Sequence, residues 1–323
     1  MKLLLLCVLA VSPLFGAVDG VVINATTGKP QPSVIVTLVQ PSQAGMTTIG
    51  SVRSDATGNF KIDKEISPGP ALLQAIYQGA MYTVALPPGT PASGVRVDVF
   101  DSTQKPGTAT LTERMILIEP SSSDLKVDEI VQFKNGSNLT FQDPVHGSLE
   151  FYLPPTAAGK VQVTIQGPGG MPIERPAEKT PQKDVYKVSY PLRPGETQFD
   201  VTYALPPSDT FSGRVVQKGT TRLVTASSVS LSGDSIEPLG QEPKTHARIW
   251  DLKSDSFAVK IEGTGSLRGP DSSAQSGDSD EDSGAPPVTE ARARIYSKLD
   301  WVLGLTLAML ATGGTILFRK GRA

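Results

Sequence analysis

The sequence contains two histidines, His146 and His246, and a single cysteine, Cys7. General acid–base and nucleophilic catalysis commonly set an imidazole beside a serine or a carboxylate. His146 opens His146-Gly147-Ser148 after Pro144, where a solvated or turn-capping ring is expected. His246 alternates with Arg248 and Trp250, which puts it beside a strand and facing solvent. A zinc-peptidase centre of the His-x-x-Glu kind is not encoded, because Leu149 and Ile249 stand at the glutamate positions. Cys7 lies in the apolar N-terminal run, so the remaining chain has no thiol for disulfides, nucleophiles or Cys-based zinc sites. Gly263-x-Gly265-x-x-x-Gly269 is one residue out of phase with a dinucleotide fingerprint, and no phosphate-binding GxxxxGK[ST] occurs.

Carboxylates and aromatics are the remaining candidates. Asp128-Glu129 and the pair Asp98 and Asp101 fall on alternating segments or their ends, where acids are expected to be solvated. Asp278, Asp280, Glu281 and Asp282 lack the spacing and glycine of a calcium loop. Tyr77, Tyr82, Tyr152 and Tyr203 sit mostly at period-2 positions and are expected in a core, a sugar-stacking surface being the alternative. Asn24-Ala25-Thr26, Asn135-Gly136-Ser137 and Asn138-Leu139-Thr140 match the glycosylation triplet. The residues therefore point to no catalytic, cofactor-binding or metal-ligating set, and to a protein that is not an enzyme.

Composition sets the elements that must position these groups. Of 323 residues 38% are hydrophobic and 19% charged, with 31 Gly and 27 Pro. Few charges and many turn formers suit a β-rich chain and argue against a helical bundle or coiled coil. A net charge of −2 supplies no field for nucleic acid, which is excluded as a main partner. Alternation recurs in Val34, Val36, Leu38; Val95, Val97, Val99; Leu125, Val127, Val131, Phe133; and Phe199, Val201, Tyr203, Leu205, the pattern of half-buried antiparallel sheets. Arg193-Pro194-Gly195-Glu196 fits a type II turn, and Asp55-Ala56-Thr57-Gly58-Asn59 a short hairpin loop. Residues 71–86 admit a helix, but central Gln78-Gly79 and flanking prolines favour a hairpin.

Both ends are apolar. Met1-Lys2 followed by Leu3 to Phe15 reads as a signal peptide, 1–17, too short at about 1.5 Å per residue to span a ~30 Å hydrocarbon core. A lipoprotein use of Cys7 meets Leu6 where a small residue is expected. Trp301 to Phe318 carries no charge and is followed by Arg319-Lys320-Gly321-Arg322, which reads as a transmembrane helix, 301–318, with a basic cytoplasmic tail, 319–323. Gly304 and Ala308 form a small-xxx-small pair that leaves helix pairing open. The Ser, Gly, Pro and Asp-rich stretch 267–290 reads as a disordered acidic linker, and 291–300 as a juxtamembrane helix. Between them lie a first β unit at 18–100, a linker at 101–110 and a second unit at 111–266, with a further cut near Asp209 left open. The expected class is all-β: two antiparallel β-sandwich domains with an N-terminal signal peptide and one C-terminal transmembrane helix.

Gly20-Val21-Val22, Thr27-Gly28-Lys29-Pro30 and Ser54-Asp55-Ala56-Thr57-Gly58-Asn59-Phe60, followed by the segment Tyr77 to Tyr82, resemble the carboxypeptidase regulatory-like family. That resemblance implies a transthyretin-like β-sandwich, a non-catalytic accessory module often classed with carbohydrate-binding-like folds, whose quoted glycines and aspartate serve turns. Tyr190 to Pro206 carries a likeness to the second β domain that accompanies this module in some bacterial envelope proteins. The expected protein is a single-pass protein of the cell membrane with a periplasmic or surface-exposed ectodomain. It would bind or scaffold without a cofactor, its partners being the membrane and a polysaccharide or an envelope protein. The alternatives are an accessory subunit of an envelope complex, for export or cytochrome maturation, and a carboxylate-based hydrolase.

Overall fold

Alternating apolar residues become strands along the whole of the part that the structure, a computed structural model, describes: residues 17–267 apart from 43, 44, 65, 68, 90 and 91. The expected transmembrane helix, juxtamembrane helix and basic tail lie outside the described residues, as do all but Ala17 of the signal peptide and all but Leu267 of the acidic linker. Among the described residues no helix is long and apolar enough to cross a membrane. The fold there is all-β, with one short 3-10 turn at Pro155–Ala157, and its several sheets are consistent with a β-sandwich architecture.

The first unit comprises β1 (Val18–Asn24), β2 (Lys29–Pro30), β3 (Ile35–Ser42), β4 (Gly45–Arg53), β5 (Asn59–Ile62), β6 (Ala71–Tyr77), β7 (Ala80–Leu86) and β8 (Val95–Val99). One sheet joins β2, β1, β5 and β8, and the other runs β4-β3-β6-β7. Val22, Phe60, Ile62 and Val97 of the first meet Val36, Leu38, Leu73 and Tyr82 of the second in one apolar core. Gln78 and Gly79, both with positive φ (46° and 80°), make the two-residue β6–β7 hairpin that the glycine and prolines favoured. The Asp55–Asn59 loop departs from expectation. It joins β4 of one sheet to β5 of the other, so it is an arch between layers and not a hairpin. Its local chemistry is as read, with Gly58 at φ 79° and Asp55 Oδ1 accepting from the backbone N–H groups of Thr57 and Asn59 at 2.8 and 2.9 Å. Gly20 is also no turn residue. It lies inside β1, where a Cβ would stand 1.9 Å from the Val95 carbonyl oxygen and 2.8 Å from the Phe60 ring.

The second unit begins with β9 (Ser102–Thr103), β10 (Thr110–Pro120), β11 (Leu125–Asn135), β12 (Thr140–Phe141), β13 (Leu149–Tyr152), β14 (Gln162–Gln166), β15 (Ile173–Glu174), β16 (Glu178–Lys179) and β17 (Val185–Val188). It continues with β18 (Gly195–Leu205), β19 (Thr210–Arg214), β20 (Thr221–Thr225), β21 (Ser230–Ser232), β22 (Ile236–Gln241), β23 (Arg248–Leu252) and β24 (Ser256–Glu262). An eight-stranded sheet, β15-β14-β18-β11-β10-β20-β23-β22, packs against the smaller sheets β13-β17-β16 and β19-β24-β21. Phe151 and Phe199, fully buried, anchor this core. The sheets are not purely antiparallel: β1 with β8, β10 with β20, and β9 with β12 pair in parallel, because in each case the chain makes a long excursion before returning.

The apolar phase of β10 and β11 admits two charges. Arg114 and Glu129 face the core at 1% and 6% exposure, and the Tyr203 hydroxyl donates to Glu129 Oε1 at 3.1 Å. Burial raises the Glu129 carboxyl above its ordinary range, while Arg114 and the Tyr203 hydroxyl pull it the other way. A carboxyl raised in the folded state holds its proton more tightly there than in the unfolded chain, so its stabilisation is complete below about pH 4.5 and is lost as pH rises through the folded value. Urea midpoints from pH 4 to 8 should therefore show wild type losing ground to Glu129→Gln with rising pH; a gap growing in the opposite sense would mean that Arg114 outweighs burial. In the first unit, Gly20→Ala forces a methyl group into a backbone carbonyl and should cost about 3 kcal/mol in the same assay.

Candidate functional site

The segment leaving β8 passes straight into the second unit, and polar groups bind the two together. Asp101 Oδ1 accepts from Asn24 Nδ2 at 2.8 Å and from the Tyr77 hydroxyl at 2.9 Å. Partial burial and then this carboxylate raise the Tyr77 phenol above its ordinary value. The Asp101 carbonyl accepts from Thr140 N–H at 2.9 Å, which starts the β9–β12 pairing. The Tyr82 hydroxyl donates to the Phe100 carbonyl at 2.9 Å and lies 2.8 Å from Thr140 Oγ1. Thr26 Oγ1 donates to the Asn138 carbonyl at 2.6 Å. Arg193 completes the seam: its buried guanidinium donates to the Met81 carbonyl of β7 and to the Pro168 carbonyl of the second unit, both at 3.0 Å, and lies 6.0 Å from the centre of the Tyr82 ring.

A cleft of about 660 Å³ opens along this seam. One wall is the β6–β7 turn with the chain after it: Gln78 Oε1 accepts from Ser102 N–H at 2.6 Å, and Gln142 Nε2 donates to the Gln78 carbonyl at 2.9 Å. The other wall carries Arg175, Glu178, Lys187, Ser189 and Tyr190. Lys187 Nζ donates to the Val145 carbonyl at 2.9 Å and lies 3.7 Å from Glu178 Oε2. At the end of the cleft Asp143 Oδ1 accepts from Val145 and His146 N–H, holding the carboxyl below its ordinary range. A second groove, about 230 Å³, adjoins it and shares Gly79, Arg175, Tyr190 and Pro191. Ile76, Met81, Met171 and Ile173 line this groove and are exposed. The lining as a whole offers amides, hydroxyls and separated charges, a set suited to holding a polar ligand by directional hydrogen bonds.

The residues singled out by sequence distribute as follows. His146 is exposed in the Asp143 turn, with Nδ1 3.0 Å from Asp143 Oδ2. Nearby Ser148 Oγ is taken up by the Tyr190 backbone, donating to its carbonyl and accepting from its N–H at 3.2 Å. His246 is exposed in the turn before β23, not on the strand. Asp98 pairs with Arg96 at 2.7 Å on the surface, whereas Asp101 belongs to the seam. Asp128 lies on the opposite face from Glu129 but its side chain is only 14% exposed, accepting from the Thr202 hydroxyl at 2.5 Å and lying 3.3 Å from Lys126 Nζ, while Glu129 occupies a core position of β11, in the same phase as Val127 and Val131. Tyr82 and Tyr203 are buried, and Tyr77 and Tyr152 are half-buried. The carboxyl of Asp200, on the face of the large sheet away from the core, is raised by burial, which the hydrogen bond from Gln198 opposes and the charge of Asp128 adds to. Asn24 and Asn135 are each 3% exposed, and their amides are spent inside the protein. Among the described residues no group of three or more His, Cys, Asp or Glu is placed to hold a metal ion.

Arg193, Gln142 and Lys187 were not singled out for a site, since arginine, glutamine and lysine near turns carry no periodic signal. Arg193→Met should leave the Met81 and Pro168 carbonyls without the guanidinium that meets them, lowering stability by about 2 kcal/mol. In calorimetry of the full chain it should split one unfolding transition into two; a single, unshifted transition would show that the seam does not depend on the guanidinium. Compared with known proteins, the chain matches no family model and no curated protein.

Proposed function

We propose that this is an exported, membrane-anchored binding or scaffold protein, non-catalytic, whose two β-sandwich units present the seam cleft to a ligand outside the cytoplasm. The observation that carries this reading is the cleft itself, built from both units and fixed by bonds such as Gln142 to Gln78 and Arg193 to Met81. A pocket whose walls are already tied pays little ordering entropy when it binds. The apolar runs 3–15 and 301–318 support export and anchoring, and the residues of 18–100 that resemble the carboxypeptidase regulatory-like family support an accessory, carbohydrate-binding-like role. The absence of catalysis is supported by the placement of the candidate groups: His146 pairs with Asp143 while Ser148 is engaged by Tyr190, and Glu129 is enclosed in the core.

A second reading, an accessory subunit of an envelope complex, draws on the exposed Ile76, Met81, Met171 and Ile173 beside the cleft. Full-length protein in mild-detergent micelles, applied to a glycan array and used as bait for envelope proteins, separates the two. The cleft reading expects glycan retention by wild type and its loss in Ser189→Trp, an exposed lining position, with the thermal midpoint unchanged. Retention by Ser189→Trp equal to wild type would remove the cleft as the site, and recovery of the intact chain from soluble cytosol would overturn export and anchoring.

A further inference from the structure

The charges of the cleft are unequally engaged. Lys187 is bonded to the Val145 carbonyl and paired with Glu178, and its side chain is 18% exposed. Asp143 is consumed by its own turn and by His146. Arg193, which borders the adjoining groove, is committed to the Met81 and Pro168 carbonyls. Arg175 differs: it lines both the cleft and the groove, is exposed, and its guanidinium has no hydrogen bond or ion pair among the described residues. Neighbouring Glu174 makes no ion pair with it among the described residues; its Oε1 accepts from Gln162 Nε2 at 2.6 Å.

We propose that the cleft takes an acidic polysaccharide, with a uronate carboxylate on Arg175 and ring hydroxyls on the amide and hydroxyl lining. This rests on the binding reading above and names its ligand class. A guanidinium presents parallel donors that match a carboxylate two for two, and no other group among the described residues takes those of Arg175. The rest of the lining favours a sugar over an acidic peptide. Gln104 and Ser189 offer hydroxyl-matching donors and acceptors, while the apolar side chains Ile76, Met81, Met171 and Ile173, on which a peptide side chain could anchor, line the adjoining groove and not the cleft. Tyr190 stands where cleft and groove meet, an aromatic surface with a polar tip.

The test is titration calorimetry on the full-length chain in detergent micelles with three probes: oligogalacturonate, the same oligomer methyl-esterified, and poly-L-glutamate. The acid should bind at least tenfold more tightly than the ester, with an affinity that falls as salt is added. Arg175→Gln should reduce acid binding to the level of the ester and remove the salt dependence, and Arg175→Lys should restore part of both. Equal binding of acid and ester, an unchanged Arg175→Gln, or polyglutamate binding as tightly as the uronate would each overturn the proposal, as would no binding of the acid. The cleft reading is judged separately: if the ester or another neutral glycan binds and Ser189→Trp abolishes it, the cleft stands and only the acidic ligand falls, whereas binding unchanged in Ser189→Trp removes the cleft.

Discussion

The structure depends on a seam of hydrogen bonds in which side chains of one unit satisfy the backbone of the other. β7 is the edge of its sheet, and an edge leaves carbonyls and N–H groups without ladder partners. The Met81 carbonyl on that edge is met by Arg193 from the second unit. A buried arginine is costly, because its charge leaves water and its Nε has no hydrogen-bond partner in the structure. The planar fork repays part of that cost by reaching two carbonyls at once while lying near the Tyr82 ring. A lysine, with a single flexible ammonium, could not hold both carbonyls and the ring in a fixed arrangement. The walls of the cleft inherit their positions from this seam, since Gln78 and Gly79 lie at the tip of the same hairpin whose outer strand Arg193 grips.

The other exposed edges are handled differently. β22, the far edge of the eight-stranded sheet, contains Pro238, which has no N–H to donate, and its register slips between Pro238 and Gly240. Both features discourage pairing with a further strand. The seam is thus the place where an edge is used, while β22 is blunted. Two of the three asparagine triplets obey the same local economy, whereas Asn138 is exposed, with Nδ2 3.4 Å from the Thr26 carbonyl. Asn24 Oδ1 accepts from the N–H of Thr26, and Asn135 Oδ1 from the N–H and hydroxyl of Ser137, so the Asn-x-Ser/Thr pattern here is a turn motif with the amide nitrogen directed inward.

Strands were legible wherever apolar residues alternate, because a two-residue period has no other economical structure. The β6–β7 hairpin was legible from Gln78-Gly79 for the same local reason, since its turn requires positive φ at both positions. Sheet membership was not. Whether the Asp55–Asn59 loop closes a hairpin or arches between sheets depends on which strands β4 and β5 pair with, and those partners lie elsewhere in the chain. Glu129 carried a signal that composition rules mask: the set Leu125, Val127, Val131, Phe133 skips it, yet it occupies the core phase of β11 as they do. Arg114 repeats the lesson in β10 ahead of Ile116 and Ile118. The cleft was illegible for a deeper reason, because its walls come from residues 78–79, 102–104, 142–148 and 175–191, which only the folded seam brings together.

Under the proposed binding role, the arginines of this chain divide the work of folding from the work of recognition. Arg114, enclosed beside Glu129 and Tyr203, is a core group whose burial lowers its pKa, an effect that Glu129 and Tyr203 oppose only in part. Arg193 is structural and positional together, since it borders the apolar groove while holding the two units. The Arg175 backbone N–H donates to the Val163 carbonyl at 2.9 Å, but its guanidinium makes no bond among the described residues, so under the proposed binding role its donors are not already spent. If the cleft binds as proposed, loss of Arg193 changes stability and the walls of the site together, whereas loss of the Arg175 guanidinium changes the site alone. A scaffold that keeps these roles on separate side chains can alter what it binds without altering how it folds, which is the condition under which a rigid β framework serves as a display surface.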